Sequence, residues 1–155
     1  MKRSILSQVG AVTHVSCIER RVAKLPDAPF GQLSTGGLAT LESLCLMLEA
    51  KPVRVMARCS SDSSEVFMHL SNGAQVQYYG AAGATAEEQS VWVEGPRGSL
   101  RREGAFIYWR KRGWPKFLPW RLSSSSRGAR SADDSALSQA IRRSSEQGSM
   151  VTLNG

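Results

Sequence analysis

The chain has 155 residues, which fits one domain with room for a real core. Apolar residues make up 41% and charged residues 21%, ordinary for a folded protein, so composition excludes a disordered or collagen-like chain. The net charge of +7 favours anionic partners, though it bears on solubility and encounter rather than on fold.

The chain opens on "MKRSILSQVGAV", whose two basic residues precede no long apolar core, so it makes a poor signal peptide. "VGAVTHVSCIERRV" then alternates. Val12, His14, Ser16 and Ile18 fall on one side, Val15 and Cys17 on the other, which predicts a strand near 11–21. "AKLPDAPFGQLSTGG" is a Pro- and Gly-rich loop. "LATLESLCLMLEA" places Leu38, Leu41, Leu44, Cys45 and Leu48 at helical spacing. Ser34 or Thr35 can cap this helix, and Lys51-Pro52 stops it.

"VRVMARC" (53–59) is a strand. "EVFMHL" and "AQVQYY" flank Asn72-Gly73, a strong hairpin signal. A two-residue type I′ turn there would put Phe67 and His69 on one face with Val76 and Tyr78. "GAAGATAEE" is a small-residue loop. "SVWVEG" and "GSLRREG" are two strands around a Pro96 corner, and "AFIYWRKRGW" is a further strand. "PKFLPWRLSSSSRGARSADD" predicts a long loop with a mobile part near 123–131. "DDSALSQAIRRSSEQG" has Ala136, Leu137, Ala140 and Ile141 on one stripe, with Asp133 or Asp134 at its start and Gly148 at its end. It predicts an amphipathic helix. "SMVTLNG" is a last short strand. A run of strands with helices set apart predicts an α+β fold: a mainly antiparallel, open-faced sheet with helices packed on one face. The open face is where an interface is expected.

No apolar run approaches the roughly 18 residues of a membrane helix, so no membrane partner is expected. Cys17, Cys45 and Cys59 are odd in number, widely spaced and form no CxxC, which suits reduced, buried thiols in a cytoplasmic protein. His14 and His69 make no zinc spacing with them.

"VFMHLSNGAQVQYYGAAGA" followed by "VWVEGPRGSLRREGAFIYWRKRGW" resembles the C-terminal domain of the Gfo/Idh/MocA family, the glucose–fructose-oxidoreductase-like dehydrogenases. The opening "VGAVTHVSCIERRV" is similar to that family's segment after its Rossmann half, and "AIRRSSEQGSMVTL" to its closing helix and end. The resemblance implies an oxidoreductase-type domain that self-associates through its open sheet face or pairs with a Rossmann-domain protein. It would bind no dinucleotide alone, because no G-x-G-x-x-G follows a strand. NAD(P) would enter only with a Rossmann partner. "EAKP" is not the family's catalytic Glu-Lys-Pro, since that motif belongs to the absent half.

The family's "D-x-G-x-H-x-x-D" pattern, set on Gly37, puts Thr35, Ala39 and Glu42 where Asp, His and Asp would stand. Alanine cannot take a proton and threonine has no useful pKa, so no catalytic residue is assigned. Thr35 and Glu42 remain as weak substrate-side positions, Glu42 as a hydroxyl acceptor or simply a solvated helix residue.

Between Arg97 and Arg130 lie ten basic residues and one acid, Glu103, interleaved with Trp109, Trp114, Phe117 and Trp120. Arg101, Arg102, Arg110, Lys111 and Arg112 are the candidate contacts with an anion or partner. Such a segment suits single-stranded nucleic acid, the alternative function. It equally suits a loop whose rings clamp onto the sheet beneath Lys and Arg stems.

Overall fold

The computed structural model describes residues 7–22, 36–104, 106–121 and 135–153, with Trp120 and Arg121 described by backbone alone. The strands are β1 (His14–Arg21), β2 (Pro52–Cys59), β3 (Ser63–Leu70), β4 (Gln75–Ala82), β5 (Glu88–Gly95), β6 (Gly98–Glu103), β7 (Phe106–Lys111), β8 (Leu118–Arg121) and β9 (Val151–Thr152). Among the described residues, residues 7–9 are helical, and the longer helices are α1 (Leu38–Met47) and α2 (Ala136–Gln147). All nine strands form one sheet in the order β8-β7-β6-β5-β1-β4-β3-β2-β9. The first strand in sequence is thus central, antiparallel to β5 and parallel to β4. Every other pairing is antiparallel. The expected α+β architecture, with helices on one face, is what the chain adopts.

Alternation decides the two faces. Val15, Cys17, Val55, Val66, Met68, Val76, Tyr78, Val93 and Leu100 point inward, under Leu38, Leu41 and Leu44 of α1 and Leu137, Ala140 and Ile141 of α2. Each fully buried aliphatic side chain of this set contributes about 1.5–3 kcal/mol. The residues between them in sequence face outward and are covered by no helix of the described chain.

The Asn-Gly hairpin departs from expectation in register. Phe67 pairs with Gln77, and Met68 with Val76. Val66, Met68 and Leu70 therefore share the core face with Val76 and Tyr78, the opposite of the expected assignment. The cause is a three-residue loop. Leu70 N–H donates to Ala74 O at 2.8 Å, Gly73 N–H donates to Leu70 O at 3.0 Å, and only Gly73, at φ 85°, takes the left-handed region. Asn72 instead accepts from Ala74 N–H and donates to Leu48 O, tying the loop to the end of α1.

Part of the expected 115–134 loop is the edge strand β8. The expected Asp133 or Asp134 cap lies outside the described residues, and Ser135 caps α2 by accepting from Ser138 N–H at 3.2 Å. The expected caps of α1, Ser34 and Thr35, and the mobile part near 123–131 also lie outside the described residues. Gly148, at φ 63°, ends α2 in the expected left-handed conformation.

The edge beyond β9 is closed by side chains. Ser144 Oγ accepts from Ala57 N–H at 2.8 Å and Ser145 Oγ from Cys59 N–H at 3.0 Å. Two helix serines thus satisfy strand donors that the two-residue β9 does not reach.

Candidate functional site: a buried carboxylate and an open sheet face

On the helix face, Glu19 continues the inward line of Val15 and Cys17 and is 4% exposed. Burying a lone carboxylate is costly, so it gathers donors. Thr40 Oγ1 donates to it at 2.6 Å, Tyr78 OH at 3.1 Å and Gln89 Nε2 at 3.1 Å. Thr40 stands in the first turn of α1, where helix N–H groups favour an anion. The network therefore pins α1 to β1, β4 and β5. Sequence reasoning missed it; the available signal was an acid in register with core residues.

The charge also acts locally. Burial, and after it the Glu19 carboxylate, push the Cys17 thiol up to about 12. Cys45 is raised to about 11 by burial and then by Glu42. Burial likewise raises Cys59. Cys17 is buried while Cys45 and Cys59 are half-buried, and all three are free thiols. Glu42 itself is half-buried on α1 and is not part of the Glu19 network; Thr35 lies outside the described residues.

The glycines ahead of α1 sit close against neighbouring side chains. A side chain on Gly37 would collide with the Tyr78 hydroxyl, and one on Gly36 with Arg21. The space at these two glycines is filled by Arg21 and Tyr78.

On the open face, Pro96 and Arg97 form the two-residue link of a tight hairpin in which Gly95 pairs with Gly98. Register then splits the basic residues. Arg101 lies opposite Trp92 and Tyr108, and Arg110 opposite Ser99, all on the open face. Arg102 and Lys111 fall on the other face, and Arg112 lies in the loop after β7. The five candidates therefore do not form one patch. Arg101 pairs with Glu103 and lies 5.6 Å from the Trp92 ring centre. Arg110 lies 4.7 Å from the Phe117 ring centre and 5.9 Å from that of Trp92. Phe117 meets Trp92 edge-on at 5.6 Å. Guanidinium groups thus lie over the Trp92 and Phe117 rings, while Trp114 is 49% exposed.

No family model matches the sequence, and no curated protein matches it. Solved structures do. An aldose-aldose oxidoreductase from Caulobacter crescentus, complexed with glycerol, superposes with a TM-score of 0.75 at 16% identity, over 98% of this chain and 59% of that one. The fold is that of the Gfo/Idh/MocA-type oxidoreductases. Levoglucosan dehydrogenase, solved with NADH, matches with a TM-score of 0.74 at 12% identity, over 99% of this chain and 62% of its own. A super-repressor mutant of Gal80p from Saccharomyces cerevisiae matches with a TM-score of 0.71 at 12% identity, over 97% and 60%. The Gfo/Idh/MocA-type fold thus occurs in proteins described as enzymes and in one described as a super-repressor, so fold alone does not assign a reaction. The chain spans about three fifths of the length of each of these three neighbours. Among the described residues, no helix is long and apolar enough to cross a membrane.

Proposed function

We propose that this chain is an oxidoreductase-type C-terminal domain that works by docking, through its open sheet face, onto a second copy or onto a Rossmann-domain protein in the cytoplasm. The observation that carries the reading is the outward face itself. Met56, Phe67 and Phe106 are 45%, 39% and 54% exposed there, on the same face as the arginine-covered Trp92. Tryptophan and arginine are the residues most enriched at binding hot spots, and an uncovered apolar sheet face is the usual substrate for association. In this reading the domain holds no dinucleotide of its own, and NAD(P) enters only with a Rossmann-bearing partner. Glu42 supplies at most one hydroxyl contact from the substrate side.

The test is the double variant Met56→Glu, Phe67→Glu, run beside the natural chain by size exclusion with light scattering. The variant should elute as a monomer at concentrations where the natural chain is a dimer or larger. A natural chain that is monomeric, and stays so when mixed with Rossmann-domain oxidoreductases, would remove the docking role.

A further inference from the structure

Strand register lines up one continuous row of side chains across the open face. It runs Arg54, His69, Gln75, His14, Glu94, each paired with the next on a neighbouring strand. The two histidines of the chain thus stand in one row on either side of Gln75, about 10 Å apart at two strand spacings. Both are half-buried. Met56, Phe67 and Trp92 lie in the next row, so the histidines border the apolar patch.

Few charged groups surround the two rings. His69 faces Arg54 from β2 and uncharged Gln75 from β4. His14 faces Gln75 from β4 and Glu94 from β5, and Glu88 and Arg101 line the same cleft. Lys51, joined through its backbone to Ser71, stands beyond the end of β3. Among the described side chains of this face, Arg20, Arg54, Arg58, Arg101 and Arg110 outnumber Glu65, Glu88, Glu94 and Glu103. The face is therefore slightly positive even with neutral histidines.

This charge pattern suits a second copy of the chain. Two sheets packed face to face keep their strands roughly aligned. A two-fold axis parallel to the strands and over β4 lays β2 of one copy on β5 of the other. Arg54 then meets Glu94 of the other copy, and Met56 meets its Trp92. The same axis sets His69 of each copy over His14 of the other. As neutral imidazoles these rings can hydrogen-bond to each other and lose little on leaving water. Protonated, they oppose like charges in the covered middle of an already positive face, with Glu94 committed to Arg54. Imidazoles as a class change charge between about pH 5 and pH 8. We propose that acid separates the paired copies: the open face docks onto its own copy while His14 and His69 are neutral and releases it when they gain protons. This rests on the docking role proposed above.

Sedimentation equilibrium of the full chain at pH 7.5 and pH 5.5, at fixed ionic strength, tests it. The dimer dissociation constant should rise about tenfold or more at pH 5.5, where carboxylates remain ionised. The double variant His14→Gln, His69→Gln extends the polar row that Gln75 already begins. Its dissociation constants at the two pH values should agree within about twofold. Dilution calorimetry of the natural chain near pH 6.5, in two buffers of different ionisation enthalpy, needs no variant; dissociation should take up protons. A dimer equally tight at both pH values, or dissociation without proton uptake, would overturn the proposal and leave the docking role standing. So would a chain that is monomeric alone yet binds a Rossmann-domain oxidoreductase. A pH response kept in full by the double variant would assign it to other groups and overturn the proposal too. A chain monomeric at every pH that binds no such partner would remove both.

Discussion

Glu19 is the residue whose environment is most demanding, because three donors from three elements converge on one buried carboxylate. Replacing it with Ala leaves the Tyr78 and Thr40 hydroxyls and the Gln89 amide without their shared acceptor, a loss of about 2–3 kcal/mol. Glu19→Gln keeps an acceptor oxygen and should lose less. Urea unfolding midpoints separate the two; equal and small losses would mean the network contributes little. The neighbouring Cys17 gives a pH dependence. Its folded pKa of about 12 stands above the ordinary value of 9.0, so its contribution to stability is complete below pH 9 and is lost as pH rises toward 12. The natural chain should therefore lose more stability between pH 8 and pH 10.5 than Cys17→Ala does. Parallel decline in both would show that the thiol is not the source.

At the scale of elements, α2 works as a cover for a sheet edge as much as a core helix. Ser144 is 0% exposed, accepts from Ala57 N–H and donates to Ser149 O at 2.6 Å. Ser144→Ala strands both groups and should cost about 1–3 kcal/mol. Amide exchange at Ala57 should quicken more than at Val66 in the neighbouring strand. The helix was legible from its apolar stripe and from Gly148. Its edge-covering serines were not, since a Ser-Ser pair reads as surface until the strand beneath it is known. The hairpin at Asn72-Gly73 teaches the same lesson. Its presence was plain from the dipeptide, but its register was set by Asn72 reaching Leu48 and by the Lys51–Ser71 hydrogen bonds, which are tertiary contacts invisible to local turn chemistry. Glu19 lay between these cases: the alternation of β1 put it inward, but only the fold supplies its donors.

For the whole molecule, strand-after-strand order was enough to anticipate an antiparallel sheet with an open face. The insertion of β1 between β5 and β4 was not, because parallel pairing between strands some sixty residues apart leaves no local trace. The same holds for the basic residues. Their number between 97 and 121 was obvious, but only strand register reveals that Arg101 and Arg110 meet over Trp92 while Arg102 and Lys111 turn away. What the assembled sheet presents to solvent is a broad, partly apolar surface with arginines stacked on its rings, and the docking role rests on that surface. A dimer of ordinary strength would need to bury about 1,200–2,000 Å² in total. Salt should weaken it only modestly if Met56 and Phe67 anchor it. Sedimentation equilibrium of the unmodified chain at several micromolar loadings is the most direct measurement. A mass that rises from monomer to dimer or beyond with loading is expected; a single monomer mass across the whole range, with and without a Rossmann-domain oxidoreductase present, would contradict the account.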